Sequence, residues 1–298
     1  MMTFHIAPWV LPILGSALML GIYDISKKQA VKDNSVLPVL FWATMIGSIF
    51  FLLLTLIRGN FVSCFMQYET AFFPVLLKSV IVGSSWICIY YAMRELPISI
   101  GAPIGATSPL WVFIGGFFLY HEVPNLWQGI AMFLIFAGYY LFSILGKLEG
   151  FSLKNLKGIP LILLGTIITA CSALYDKYLL GVIRIPPDTV QFWFSIDIIF
   201  VLGLAVLIRQ KNFGERHTFR WTLAIPLTGV LMALADICYF YAVSLPDTPI
   251  SMLSLLRRSN CIVAFVAGSI WFHERNQWKK AVALVLVLLG VAMLTLFK

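Results

Sequence analysis

The chain has 298 residues, 60% of them hydrophobic and only 11% charged, with a formal net charge of +8. This composition excludes an ordinary soluble domain and a disordered chain. The apolar segments are continuous rather than alternating, which places them in a bilayer as helices and not as strands of an outer-membrane barrel. No basic run is interleaved with aromatics as nucleic-acid binding requires, so nucleic acid is not an expected partner.

In chain order, the first span is predicted from about Trp9 to Ser26, ending in YDISKK, and the second from Val36 to Ile57. The third takes Phe72 to Met93, the fourth Pro97 to Glu122 and the fifth Leu126 to Leu145. A polar linker, GKLEGFSLKNLKG, follows. The sixth span runs from Ile159 to Leu180, the seventh from Thr189 to Ile208 and the eighth from Trp221 to Leu245. The ninth, Pro249 to Glu274, and the tenth, Trp278 to Phe297, close the chain. Residues 1–146 thus form one five-helix unit, 147–157 a linker and 158–298 a second unit. The N-terminus lacks a basic region and a small-residue cleavage site, so the first span reads as retained.

The two halves repeat. Pro97-Ile98-Ser99 recurs as Pro249-Ile250-Ser251 and His121-Glu122 as His273-Glu274, both displaced by 152 residues. Tyr23-Asp24 matches Tyr175-Asp176, Phe41-Trp42 matches Phe192-Trp193, and Ile87-Cys88 matches Ile237-Cys238. An odd number of spans per copy makes the second enter the membrane from the opposite side. The expected fold is therefore an all-α membrane protein of ten transmembrane helices arranged as two inverted five-helix repeats, as in secondary transporters with a site between the halves. Fourteen basic residues lie in the loops after the odd-numbered spans and three on the other side. By the positive-inside rule both termini are expected outside the cytoplasm.

The ninth span carries Arg257 and Arg258 about 12 Å from its start, inside a hydrocarbon layer about 30 Å thick. An arginine at the membrane centre costs about 3 kcal/mol on insertion scales, so it faces protein, a counter-charge or water. The eighth and ninth spans are joined by the short turn SLPDTP and are expected to pack side by side, which makes Asp236 the expected partner. Two readings stay open: Asp197, Asp236, Arg257 and Arg258 neutralise one another, or they serve binding and coupling. A guanidinium left unpaired would suit a carboxylate or phosphate, implying an anionic group on the substrate. The candidate binding residues are Arg257, Arg258, Asp236, Trp86, Tyr91, Tyr241 and Asn260. Asp24, Asp176 and Asp197 are candidates for gating or proton coupling, although Asp24 is also spaced to pair with Lys27 or Lys28, and Asp176 adjoins Lys177.

Among other aromatics, Trp42, Tyr90, Trp193 and Tyr239 are candidates for a cavity wall, whereas Trp9, Trp127, Trp221 and Trp278 sit near span ends as interfacial anchors. The fourth span, with Gly101, Pro103, Gly105 and Pro109, is expected to be kinked or unwound. Five cysteines form no CxxC pair and read as buried thiols. His5, His121, His217 and His273 have no metal spacing, and no catalytic motif appears, so neither a cofactor nor enzymatic activity is expected.

The segment FFLYHEVPNLWQGIAMFLIFAG and its copy SIWFHERNQWKKAVALVLVLLG resemble the signature of EamA-type carriers in the drug/metabolite transporter superfamily. Glu122 and Glu274 stand at the acidic position, and Gly138 and Gly290 at the later glycine. The resemblance spans nearly the whole chain. It implies a multi-pass carrier of the plasma membrane, the inner membrane in a bacterium. Its central cavity is walled by the first, third, fourth, sixth, eighth and ninth spans, and it moves a small metabolite, often outward. Two departures stand out: many members have cytoplasmic termini, and the ninth span is ordinarily made of small residues. The expected function is alternating-access transport of an amino-acid-like molecule or organic anion, with protons as a coupling ion and the protein a monomer or homodimer. A flippase for a charged lipid-linked head group is the alternative, and a lipid-modifying enzyme the different-class one.

Overall fold

A computed structural model describes residues 7–31, 34–95, 104–105, 107–147, 158–212, 219–260 and 285–290, together with residues 263, 282 and 293. In chain order the helices are α1 (Val10–Val31), α2 (Val36–Ile57), a short α3 (Phe61–Met66), α4 (Tyr68–Glu95), α5 (Ser108–Tyr120), α6 (Leu126–Lys147) and α7 (Gly158–Lys177). A π-helical turn, Tyr178–Val182, follows α7. Then come α8 (Pro187–Asn212), α9 (Ala224–Ser244) and α10 (Ile250–Arg257). No strand occurs among the described residues.

Six of these helical segments are long and apolar enough to cross a membrane, and α5 and α6 contribute shorter apolar stretches. Ten spans were expected. Parts of the fourth and ninth and most of the tenth lie outside the described residues, as do Gly101, Pro103, Cys261, His273, Glu274, Trp278 and most of the polar linker.

Several boundaries differ from the sequence expectation for local reasons. Helix α1 continues past Ser26 to Val31, so Asp24 and Lys27 lie within the helix rather than at its end. Helix α3 is an unexpected segment before the third span. In the fourth span the expected break falls at Thr107, a turn residue. Pro109 then sits in the first turn of α5, where its missing N–H leaves no hydrogen bond unmade. The ninth span is not one continuous helix: α10 ends at Arg257, and the Arg258 N–H turns back to Leu255 O at 3.1 Å and Ser254 O at 3.3 Å. The helical ladder is thus interrupted just after Arg257, at Arg258 and Ser259, whose N–H bonds to Leu256 O at 3.0 Å.

Hydroxyl side chains within the apolar helices return their protons to the preceding turn, as hydrocarbon surroundings require. Thr55 donates to Phe51 O, Ser79 to Val75 O, Thr166 to Ile162 O and Thr228 to Ala224 O. Between helices, Ser85 Oγ donates to Gly165 O at 2.9 Å.

The packing pairs exchange when the halves are exchanged. Helix α1 packs on α9, and their counterparts α7 and α4 pack on each other. The contact of α2 with α9 is matched by α8 with α4, and that of α5 with α7 by α10 with α1. Helix α2 meets its own counterpart α8, and α5 meets α10. This is the pattern that a twofold relation between the halves produces.

Helices α2 and α9 cross closely at two glycines. A Cβ on Gly229 would lie 2.0 Å from Ala43 O, and one on Gly47 would lie 2.4 Å from Gly229 O. Neither obstacle is a side chain that can swing away. Gly229→Ala is therefore expected to push the helices apart and lower stability by about 1–3 kcal/mol, read as a lower thermal unfolding midpoint in detergent. At Gly129, where an added Cβ meets nothing within 4 Å, Ala should leave the midpoint unchanged or higher.

Candidate functional site

The buried charge lies where α4, α7, α9 and α10 converge. Asp236 and Tyr239, three residues apart on α9, share one helical face. Arg257, at the end of α10, donates from Nη2 to Asp236 Oδ1 at 2.8 Å. Its guanidinium lies 3.9 Å from the centre of the Tyr239 ring. The Tyr239 hydroxyl donates to Asp176 Oδ2 at 3.0 Å, and the other Asp176 oxygen receives Lys78 Nζ in a short ion pair. The Lys78 ammonium also stands 5.0 Å over Phe194 and 4.9 Å over Phe240. Two cations, two carboxylates and a phenol thus form one chain, its charge neutralised pair by pair.

Beside this chain is a cavity of about 40 Å³, walled by α1, α2, α4, α8 and α9. Asp236 reaches it, with Tyr23, Trp86, Tyr90 and Phe194 as aromatic walls. That volume holds roughly three waters. A metabolite site needs several hundred Å³, so the bundle must open before anything larger than a small head group enters. Among the described residues the expected first, third and eighth spans line it, joined by the second and seventh, which had not been expected there.

Asp197, on the same helix as the cavity residues Ser195 and Ile198, is 2% exposed, and its Oδ2 has no hydrogen-bond partner. Asp24 is held by Lys27 at 2.9 Å and by Asn260 Nδ2 at 2.8 Å, so two of the predicted residues, 236 positions apart in sequence, meet each other.

The expected pairing of Asp176 with its neighbour Lys177 does not form. Consecutive residues of a helix point about 100° apart. Asp176 turns to Lys78, and Lys177 forms a short ion pair with Glu122 and donates to Thr248 O at 3.1 Å. Glu122, in the connection after α5, also accepts the Ile250 N–H at 2.7 Å and the Ser251 N–H at 3.1 Å, as well as the Ser251 hydroxyl. The repeat-signature acid therefore caps α10, where a carboxylate suits the free N–H groups and the helix dipole.

The remaining predicted residues divide. Trp86 and Tyr90 line the cavity. Tyr91 packs against the main apolar core, whereas Tyr241 is 54% exposed and points away from the site. Arg257 is not the free fork that anion recognition requires, because Asp236 occupies one edge and Tyr239 its face; its Nε has no partner. Arg258 lies in the turn after α10. Helices α9 and α10 meet near their turn and through Arg257, but the broad packing of α10 is against α5 and α1.

Trp42 packs against Trp221 with tilted rings whose centres are 5.2 Å apart, and Trp193 is buried against α3. Trp9 is buried rather than interfacial, while Trp127 and Trp221 are largely exposed. Cys64 is buried as expected, whereas Cys171 is exposed. Among the described residues no group of His, Cys, Asp and Glu could hold a metal.

Sequence reasoning missed Lys78 as a site residue. Its signal was present: a single lysine in the run FFPVLLKSVIVG, where a charge within a span marks a functional position.

A bundle of long apolar helices enclosing buried ion pairs beside a small cavity defines a multi-pass integral membrane protein. The chain belongs to the EamA-like transporter family, whose model matches residues 7–144 and 156–296, and so to the drug/metabolite transporter superfamily. It is 22% identical over 291 residues to an uncharacterized transporter of Archaeoglobus fulgidus, covering 96% of this chain and 98% of that one. A solved crystal structure shares the fold, with a TM-score of 0.75 over 97% of this chain and 95% of its own at 15% identity.

Breaking a buried ion pair by removing one partner costs about 3–5 kcal/mol. Lys78→Met should therefore lower the unfolding midpoint sharply, and Lys78→Met combined with Asp176→Leu should recover much of the loss. Equal loss in the single and double variants would contradict the pairing.

A second prediction concerns acid. Burial raises the Glu122 pKa, but hydrogen bonds from Lys177 and Ser251, the Lys177 charge and the Ile250 N–H outweigh it and hold the carboxyl below its ordinary 4.5. The unfolded chain binds more protons in that window, so the contribution is full above about 4.5 and is lost as pH falls through the lowered value. Glu122→Gln should flatten this acid limb of the stability curve while leaving its shape near neutral pH unchanged.

Proposed function

We propose that this protein is a secondary transporter that carries a small polar metabolite by alternating access between two inverted five-span repeats, residues 1–146 and 158–298, joined by 147–157. The observation that carries this reading is the cavity itself. Both halves build its wall, α1, α2 and α4 from one and α8 and α9 from the other, and Asp236 reaches it from the wall. The small volume corresponds to a contracted state, and rocking of the halves would open it to either side in turn. The full-length similarity to a transporter supports the same reading.

Protons are the coupling ion in this proposal, and Asp197 is the carboxyl that takes them. Asp24 and Asp176 are held by lysines, so protonating either one breaks an ion pair. Asp197 can gain a proton at Oδ2 without that loss.

The test is a metabolite panel screened by thermal stabilisation of the purified protein, in which a ligand at a hundred times its Kd adds about 2.7 kcal/mol. Stabilising compounds are then tested for counterflow in proteoliposomes. The expected result is exchange of at least one of them, abolished by Asp236→Asn, with the response to an imposed pH gradient lost in Asp197→Asn. Stabilising ligands that never cross the membrane would sink the transporter reading, and a full pH response in Asp197→Asn would sink the coupling.

A further inference from the structure

Resting on the reading of this cavity as the transport site, we propose that the substrate is an organic cation, a protonated or quaternary amine on an apolar or aromatic body, and that Asp236 receives its charge. Among the described residues lining the cavity, Asp236 is the only carboxyl, and no lysine, arginine or histidine is present. Four aromatic rings share the wall: Tyr23, Trp86, Tyr90 and Phe194. A carboxylate and the negative faces of aromatic rings attract a cation, and both repel an anion.

The nearby cations are turned to other tasks. Arg257 is absent from the lining, with its guanidinium on Asp236 and over Tyr239; Lys78 is held between Asp176 and the rings of Phe194 and Phe240. A third base, Lys27, stands 4.7 Å over the ring of the wall residue Tyr23 and is held by Asp24.

Asp236 can take a second donor. A carboxylate offers about four lone-pair directions, and Arg257 uses Oδ1. The incoming amine therefore competes with Arg257 for one carboxylate, while the Tyr239 ring continues to face the guanidinium. The cavity admits the charged head first. The body of the substrate then needs the bundle to open along Trp86 and Tyr90.

The experiment titrates purified protein in nanodiscs with four probes that share one phenylethyl body. These are phenethylammonium, its trimethylammonium analogue, the carboxylate 3-phenylpropionate and neutral 2-phenylethanol, with calorimetry and thermal shift as readouts. Both cations should bind, and the carboxylate and alcohol should not. Asp236→Asn should weaken cation binding at least about tenfold, whereas Arg257→Gln, which removes the competitor, should tighten it. A purely structural role for the pair would weaken both. Trp86→Leu, which leaves the ion pair untouched, should weaken binding several-fold.

No binding of either cation at millimolar concentration, tighter binding of the carboxylate, or unchanged cation affinity in both Asp236→Asn and Trp86→Leu would overturn the proposal. Counterflow separates it from the transport reading. Cations that bind but do not exchange leave the cation site standing and remove transport, whereas exchange of an anion without cation binding does the reverse.

Discussion

An ionised group inside hydrocarbon is stable only beside a counter-charge, and this bundle is arranged around that constraint. The Arg257–Asp236 pair is its centre. It ties the end of α10 to the middle of α9, and through Tyr239 it joins the Lys78–Asp176 pair of α4 and α7. Four helices from both halves are thereby fixed to one another by groups that cannot separate cheaply. Any motion that parts them needs a substitute partner, supplied by water, a proton or a substrate.

That requirement gives the site two different attachments. Glycine contacts, such as Gly47 against Gly229, bring the backbones of α2 and α9 together with no charge involved. The ion pairs lie to the side of this crossing. Glu122 forms a second tie, linking the connection after α5 to Lys177 and to the start of α10. The ninth span is thus capped by Glu122 at its beginning and interrupted just after Arg257. Its short helix is held at both ends by carboxylates.

The carboxylates divide by what surrounds them. Asp24, Asp176, Asp236 and Glu122 each have a basic partner, whereas Asp197 keeps one oxygen without any partner while almost wholly enclosed. Arg257 was a candidate for anion recognition while its partner was undecided. With Asp236 against it, the surface left to the cavity is acidic and aromatic.

Much of this was legible in the chain. Continuous apolar runs dictate helices in a bilayer, because no other backbone arrangement satisfies its own polar groups there. The 152-residue echo marked the duplication, and the short turn after the eighth span indicated that Asp236 and Arg257 would meet. What the sequence left open was every choice made by rotation and crossing between helices. A one-residue step turns a side chain by 100°, so Asp176 reaches Lys78 while Lys177 reaches Glu122, and Tyr239 joins the charges while Tyr241 points outward. Spacing along one helix sets which residues share a face; only the packing of several helices decides what that face meets.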